Sequence, residues 1–242
     1  MRLKCEFRTK SIPVANRMMI ISLIKEAIKS VNEEYYNRLY NYEGKDNEKI
    51  KNFSFAVVLK DYTLKKDIFK IRDKVIIYIT TPNHKFGINI YKGLLNIDHF
   101  RYKDFFLKKI KVTLMKENFI IEPEVVFKTI SPICVKDKKG NFINIEDEGY
   151  EKELNYILDL SLKSYRGFGL KQKVKFIPVK MKKSVIKEAI GVSTEENNSE
   201  SFCVNAYSGI FKLQGDVEDI NFIYQAGLGF HRSEGFGLVD II

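Results

Sequence analysis

The chain has 242 residues, 45% of them hydrophobic, and carries 41 Lys and Arg against 31 Asp and Glu, a formal net charge of +10. That length and apolar content support one large packed core or two small ones, and the basic balance favours a polyanion such as nucleic acid as partner. Residues 1–8 put a charge at every second position from Arg2 to Arg8, and no apolar run approaches the length of a membrane span, so a soluble, cytoplasmic protein with no membrane partner is expected.

The alternation over residues 2–8 predicts a strand. After Ser11-Ile-Pro13, the apolar residues Val14, Met18, Ile21, Ile24, Ile28, Val31, Tyr35 and Leu39 recur at intervals of three and four, which predicts one long amphipathic helix ending near Gly44. Strands are expected at 52–59 and 75–80, a helix from Pro82 to about Leu95, and a strand at 105–114. The order β-α-β-β-α-β is the ferredoxin-like split unit, which RNA-recognition modules also use. The second half repeats the order without repeating the sequence: strand 125–135, helix 150–165, strands 174–181 and 202–213, helix 217–225 and strand 236–241. Residues 136–149 and 193–201 are read as loops. The fold expected is α+β, two tandem ferredoxin-like (RRM-like) domains at residues 1–118 and 119–242.

Cys5, Cys134 and Cys203 are odd in number, far apart and without a paired Cys or nearby His, which argues against a disulfide framework and a zinc site. No carboxylate pair or histidine cluster suggests a metal, and no cofactor is expected. Between Leu160 and Lys187 stand nine basic residues and no acidic one, among them Lys173, Lys175, Lys180 and Lys182. Lysines alternate with apolar residues here, but the phase flips at Ile177-Pro178. A bulge near Pro178 keeps one face apolar and the other basic, a surface suited to a phosphate backbone. The competing account is a solvated lysine edge that deters aggregation. Arg166-Gly-Phe-Gly169, just before this stretch, is read as a turn.

The last sixteen residues hold Gly227, Gly229, Gly235 and Gly237 together with His231 and Arg232. Glycines let a backbone approach a polyanion and present N–H groups, and the two basic side chains add donors, so all six are candidate RNA contacts. Gly229 and Gly235 are expected to touch phosphate or to need positive φ, and valine at either is expected to abolish RNA binding while lowering the melting temperature little. The spacing G-x-G-x5-G-F-G at the C-terminus resembles the signature of the CRISPR repeat-RNA endoribonucleases of the RAMP superfamily. Phe127-Lys-Thr-Ile-Ser-Pro-Ile133 resembles that family's strand opening the second domain, and Asn52-Phe-Ser-Phe-Ala resembles the strand after its catalytic segment.

The resemblance implies metal-independent cleavage of precursor CRISPR RNA within its repeat, leaving a 2′,3′-cyclic phosphate and a 5′-OH. It also implies repeat RNA as partner, with CRISPR effector-complex subunits as further partners; separately, exposed first-domain surface leaves room for a homodimer. The chemistry needs a base for the ribose 2′-OH, an acid for the leaving 5′-oxygen and a cation on the phosphate. Many members carry a histidine at the end of the first helix, but here that slot holds Tyr40 or Asn41, and no histidine precedes residue 84. One account makes Tyr40 or Tyr36 act with Lys45, Lys49 or Lys51. Another brings His231 or His84 into the site. The third is a non-cleaving, repeat-RNA-binding subunit of an effector complex.

Overall fold

The computed structural model describes residues 1–40, 50–189 and 201–242. In chain order these form β1 (Arg2–Arg8), β2 (Ser11–Pro13), α1 (Arg17–Val31), α2 (Glu33–Tyr40), β3 (Ser54–Lys65), β4 (Ile68–Thr80), α3 (His84–Asn96), β5 (His99–Tyr102), β6 (Phe105–Met115), β7 (Glu124–Thr129), α4 (Tyr150–Arg166), β8 (Lys175–Ala189), β9 (Ser201–Gln214), α5 (Val217–Ala226) and β10 (Val239–Ile241). None of the described helices is long and apolar enough to cross a membrane.

The first sheet runs β3-β4-β1-β6-β5, with β2 also paired to β4; the second runs β10-β7-β9-β8. Every pairing is antiparallel. In each sheet the unit's first strand lies between its last and its third, so the ferredoxin-like order occurs twice. Period-two alternation sends Leu3, Cys5 and Phe7 of β1 into one core, where Ile20, Leu23, Ile24 and Ala27 of α1 meet them. Phe127, Leu154, Leu158, Phe211, Leu213 and Ile223 form the second core. Each such side chain contributes about 1.5–3 kcal/mol by leaving water.

The long first helix is instead two helices. Asn32 takes φ −153° and ψ 88°, and its side-chain oxygen accepts a hydrogen bond from the Tyr35 N–H at 2.8 Å. An asparagine that caps the next helix breaks the current one, although the apolar spacing runs straight through it. The buried stripe is Met19, Ile20, Leu23, Ile24, Ala27 and Ile28, so Met18 and Ile21 lie at its margin and Val14 precedes the helix. The strand expected at 125–135 ends at Thr129, because the Ile130 and Ser131 N–H groups both turn to the Leu238 carbonyl; only a single bridge, Ile133 to Tyr207, continues it. The terminal strand correspondingly begins at Val239, and β5 is an additional short strand on the edge of the first sheet.

The central strand β1 of the first sheet meets the edge strand β10 of the second. The Arg2 guanidinium of β1, 6% exposed, donates to Asp240 Oδ1 of β10 at 2.8 Å and lies 4.2 Å over the Tyr224 ring. Between β3 and β8 a groove of about 430 Å³ remains, lined by Arg17, Val57, Tyr62, Phe69, Val185 and Lys187.

Candidate functional site

The glycine-rich segment follows α5 and folds back on the chain. The Leu228 N–H donates to the Gly237 carbonyl, the Gly237 N–H to the Pro132 carbonyl, and the Phe230 N–H to the Cys134 carbonyl, at 2.8, 2.8 and 2.9 Å. A 3-10 turn, Arg232–Glu234, forms its tip and rests against α1 and β3 of the first sheet. Positive φ holds at all four glycines, as expected for Gly229 and Gly235. Their surroundings differ from the expected polyanion cradle. A Cβ on Gly237 would come within 1.9 Å of the Leu228 carbonyl oxygen, and one on Gly235 within 2.8 Å of the Phe55 ring. The N–H groups of Gly227, Gly235 and Gly237 are already donated to Ile223, Arg232 and Pro132 carbonyls. These glycines therefore let the loop pack on its own protein, and a valine at Gly229, whose Cβ would meet the Cys134 carbonyl at 2.6 Å, would cost stability as well as any binding.

Arg232, expected at the RNA surface, is 4% exposed. Its guanidinium donates to Ser161 Oγ of α4 at 2.6 Å and reaches the Gly227 carbonyl at 3.4 Å and Asn52 Oδ1 at 3.5 Å. Burial pulls it down to about 10, which leaves it charged at neutral pH. A buried guanidinium spanning α4, the loop and the entry to β3 is a structural tie between the two sheets.

His231 is less deeply buried. Its backbone is left-handed, φ 55°, its side chain is 22% exposed, and its Nδ1 lies 2.8 Å from Glu234 Oε2. The hydrogen bond from His231 holds the Glu234 carboxyl below the usual carboxylate range against the opposing effect of burial, and the charges of His231, Lys136 and Lys51 add to it. His231, Glu234 and Gly229 line a cavity of about 210 Å³ together with Ile50, Lys51 and Ile157. Lys51, 180 positions earlier in the chain than His231, arrives on the segment leading into β3. Its Nζ stands 5.3 Å from the Tyr40 ring centroid, the Lys25 Nζ stands 4.9 Å from that same centroid, and the Tyr36 ring is 5.4 Å from Tyr40.

Of the candidate catalytic residues, Tyr36, Tyr40, Lys51 and His231 thus form one continuous arrangement running from the end of α2 to the loop. Lys45 and Lys49 lie outside the described residues. His84 sits exposed at the start of α3 and is not among the residues lining the cavity. Glu234 escaped the sequence reading, although its three-residue spacing from His231 was a legible turn-pairing signal.

The lysine-rich strand has the expected bulge. Its register on β9 shifts between Pro178 and Lys180, leaving Val179 as the extra residue, 57% exposed. Phe176 and Met181 consequently stay on the core side, while Lys175, Lys180 and Lys182 are exposed, opposite Gln214, Ile210 and Ser208. Lys173 lies exposed just before β8.

Residues 113–241 match the family model described as CRISPR associated protein Cas6, C-terminal. The chain is 29% identical, over 99% of its length and 92% of the other's, to the CRISPR-associated endoribonuclease Cas6 1 of Methanocaldococcus jannaschii. Among solved structures it resembles a CRISPR associated protein Cas6 at 25% identity and TM-score 0.74, covering 100% of this chain and 99% of that one. It also resembles the product of a Cas6-related gene from Pyrococcus furiosus at 20% identity and TM-score 0.81, covering 100% and 98%. The fold of the last agrees with the doubled ferredoxin-like order, and the family model takes in β7 through β10 together with the whole glycine-rich loop. The chain belongs to the Cas6 family of CRISPR-associated proteins.

Proposed function

We propose that this chain is a metal-independent endoribonuclease that binds CRISPR repeat RNA and cuts precursor CRISPR RNA, leaving a 2′,3′-cyclic phosphate and a 5′-OH. The observation that carries the reading is that Lys51, from the entry to β3, and His231, from the glycine-rich loop, line one cavity, with the Tyr40 ring at the end of α2 lying 5.3 Å from the Lys51 Nζ. An ammonium and an imidazole supply a cation for the phosphate and a proton-transfer group for in-line attack by a ribose 2′-oxygen. Lys51 offsets charge on the phosphorane-like transition state, the Tyr40 ring beside it positions the Lys51 ammonium, and Tyr36 supports the Tyr40 ring. The likeness to a curated endoribonuclease along nearly the whole chain supports the same reading. We divide the chain at 1–118 and 119–242, within the segment between β6 and β7, and assign repeat RNA binding to the exposed Lys173, Lys175, Lys180 and Lys182 surface.

Cleavage of radiolabelled repeat RNA tests the proposal. Cleavage should persist in excess EDTA, yield a cyclic phosphate terminus, and stop when a 2′-deoxy nucleotide precedes the scissile phosphate. Tyr40→Ala, which removes the ring beside Lys51, should slow the single-turnover step by roughly tenfold. Tight binding of the repeat without any cleavage would overturn the enzymatic reading.

A further inference from the structure

We propose that His231, held by Glu234, is the general acid that protonates the leaving 5′-oxygen, an assignment that rests on the cleavage reading above. The family resemblance led to the end of the first helix for this group, and no histidine stands there in this chain. The structure supplies one from the opposite end of the sequence. His231 lines the same cavity as Lys51, so an imidazole and a cation share the space a scissile phosphate would occupy.

Three features mark His231 as more than a loop residue that touches phosphate. Its φ of 55° is a conformation that non-glycine residues adopt at a cost, and such strain gathers where a side chain must be aimed. Its Nδ1 is engaged by Glu234 Oε2 at 2.8 Å. An ionised carboxylate only accepts, so Nδ1 carries the proton of that bond and Nε2 is the nitrogen left for exchange with a substrate. A carboxylate on one imidazole nitrogen fixes the ring and compensates the positive charge present when both nitrogens are protonated, which is the state an acid must start from. Glu234 is therefore a positioning residue, acting through His231 without touching the RNA.

The step balances as a transesterification. The 2′-oxygen forms a bond to phosphorus as its proton leaves to solvent, the bond from phosphorus to the 5′-oxygen breaks, and the proton on His231 Nε2 passes to that 5′-oxygen. His231 is then reprotonated from solvent. No metal or redox partner enters.

Replacing the bridging 5′-oxygen of the scissile phosphate by sulfur tests this directly, because a thiolate leaves without needing a proton. His231→Asn is the informative variant, since asparagine tolerates the left-handed backbone that alanine would strain. On the ordinary repeat its single-turnover rate should fall by about 10²-fold or more. On the 5′-sulfur repeat it should match the parent within roughly threefold, as expected when only acid catalysis is missing. Glu234→Gln should lose about tenfold on the oxygen substrate and regain it on the sulfur one, which a merely structural defect would not do. Weakened RNA affinity with an unchanged chemical rate would make His231 a phosphate contact and overturn the assignment while leaving the cleavage reading intact. A slow rate that sulfur does not restore would do the same. Failure of the parent protein to cut either RNA would remove the cleavage reading itself, and this assignment with it.

Discussion

Gly237→Ala should unfold the glycine-rich loop and lower stability by about 3–5 kcal/mol, more than any surface change in this chain. The added Cβ would overlap the Leu228 carbonyl oxygen at 1.9 Å, and φ there is +69°. Relief requires movement of a backbone that is fixed on both sides, since Gly237 donates to Pro132 and accepts from Leu228. The left-handed backbone adds about 1–2 kcal/mol for a residue with a Cβ, and each disrupted buried hydrogen bond about 1–3. For a chain of this size the melting temperature should drop by roughly 10 °C. Gly149→Ala is the matched control: nothing lies within 4 Å of its Cβ position, and its φ is −76°. It should cost no more than about 1 kcal/mol. Thermal denaturation of the two variants side by side reads the difference, and equal melting temperatures would mean that the loop does not tie the sheets together.

The second large effect concerns RNA affinity. Replacing Lys173, Lys175, Lys180 and Lys182 together by Ala should weaken repeat binding at about 0.1 M salt by tenfold or more, because each lost phosphate contact forgoes the release of about one counterion. The slope of log affinity against log salt should flatten by up to about 0.7–0.9 for each contact removed. All four side chains are exposed, and the core side of β8 is held by Phe176 and Met181, so folding should be little affected. Fluorescence anisotropy with labelled repeat RNA across a salt series measures both quantities. Unchanged affinity and slope would return this strand to the role of a solvated edge.

The helices and strands of both units were largely legible because apolar periodicity and the two β-α-β-β-α-β runs are local properties of the sequence. The break at Asn32 was not, since the apolar spacing continues across it and only the capping bond to Tyr35 reveals it. The bulge at Pro178 was legible, because a phase flip between lysine and apolar positions has no other economical solution on a one-sided sheet. Arg232 misled because a charge flanked by glycines reads as solvent-facing, and its burial follows from Ser161 and Asn52, each far away in sequence. The site was half legible. Its residue types were foreseen, but the approach of Lys51 to His231 is a product of how the two sheets meet, and Glu234 acquires meaning only once the turn at 232–234 is known.

Single-turnover cleavage of repeat RNA by Lys51→Ala, at saturating protein and in EDTA, tests most directly whether the end of α2, the entry to β3 and the glycine-rich loop form one active site. The rate should fall by about 10²- to 10³-fold, as when a charge-stabilising group is removed from a transition state, with RNA affinity changed no more than about threefold. A rate equal to that of the parent, or a loss that more protein restores, would contradict the account.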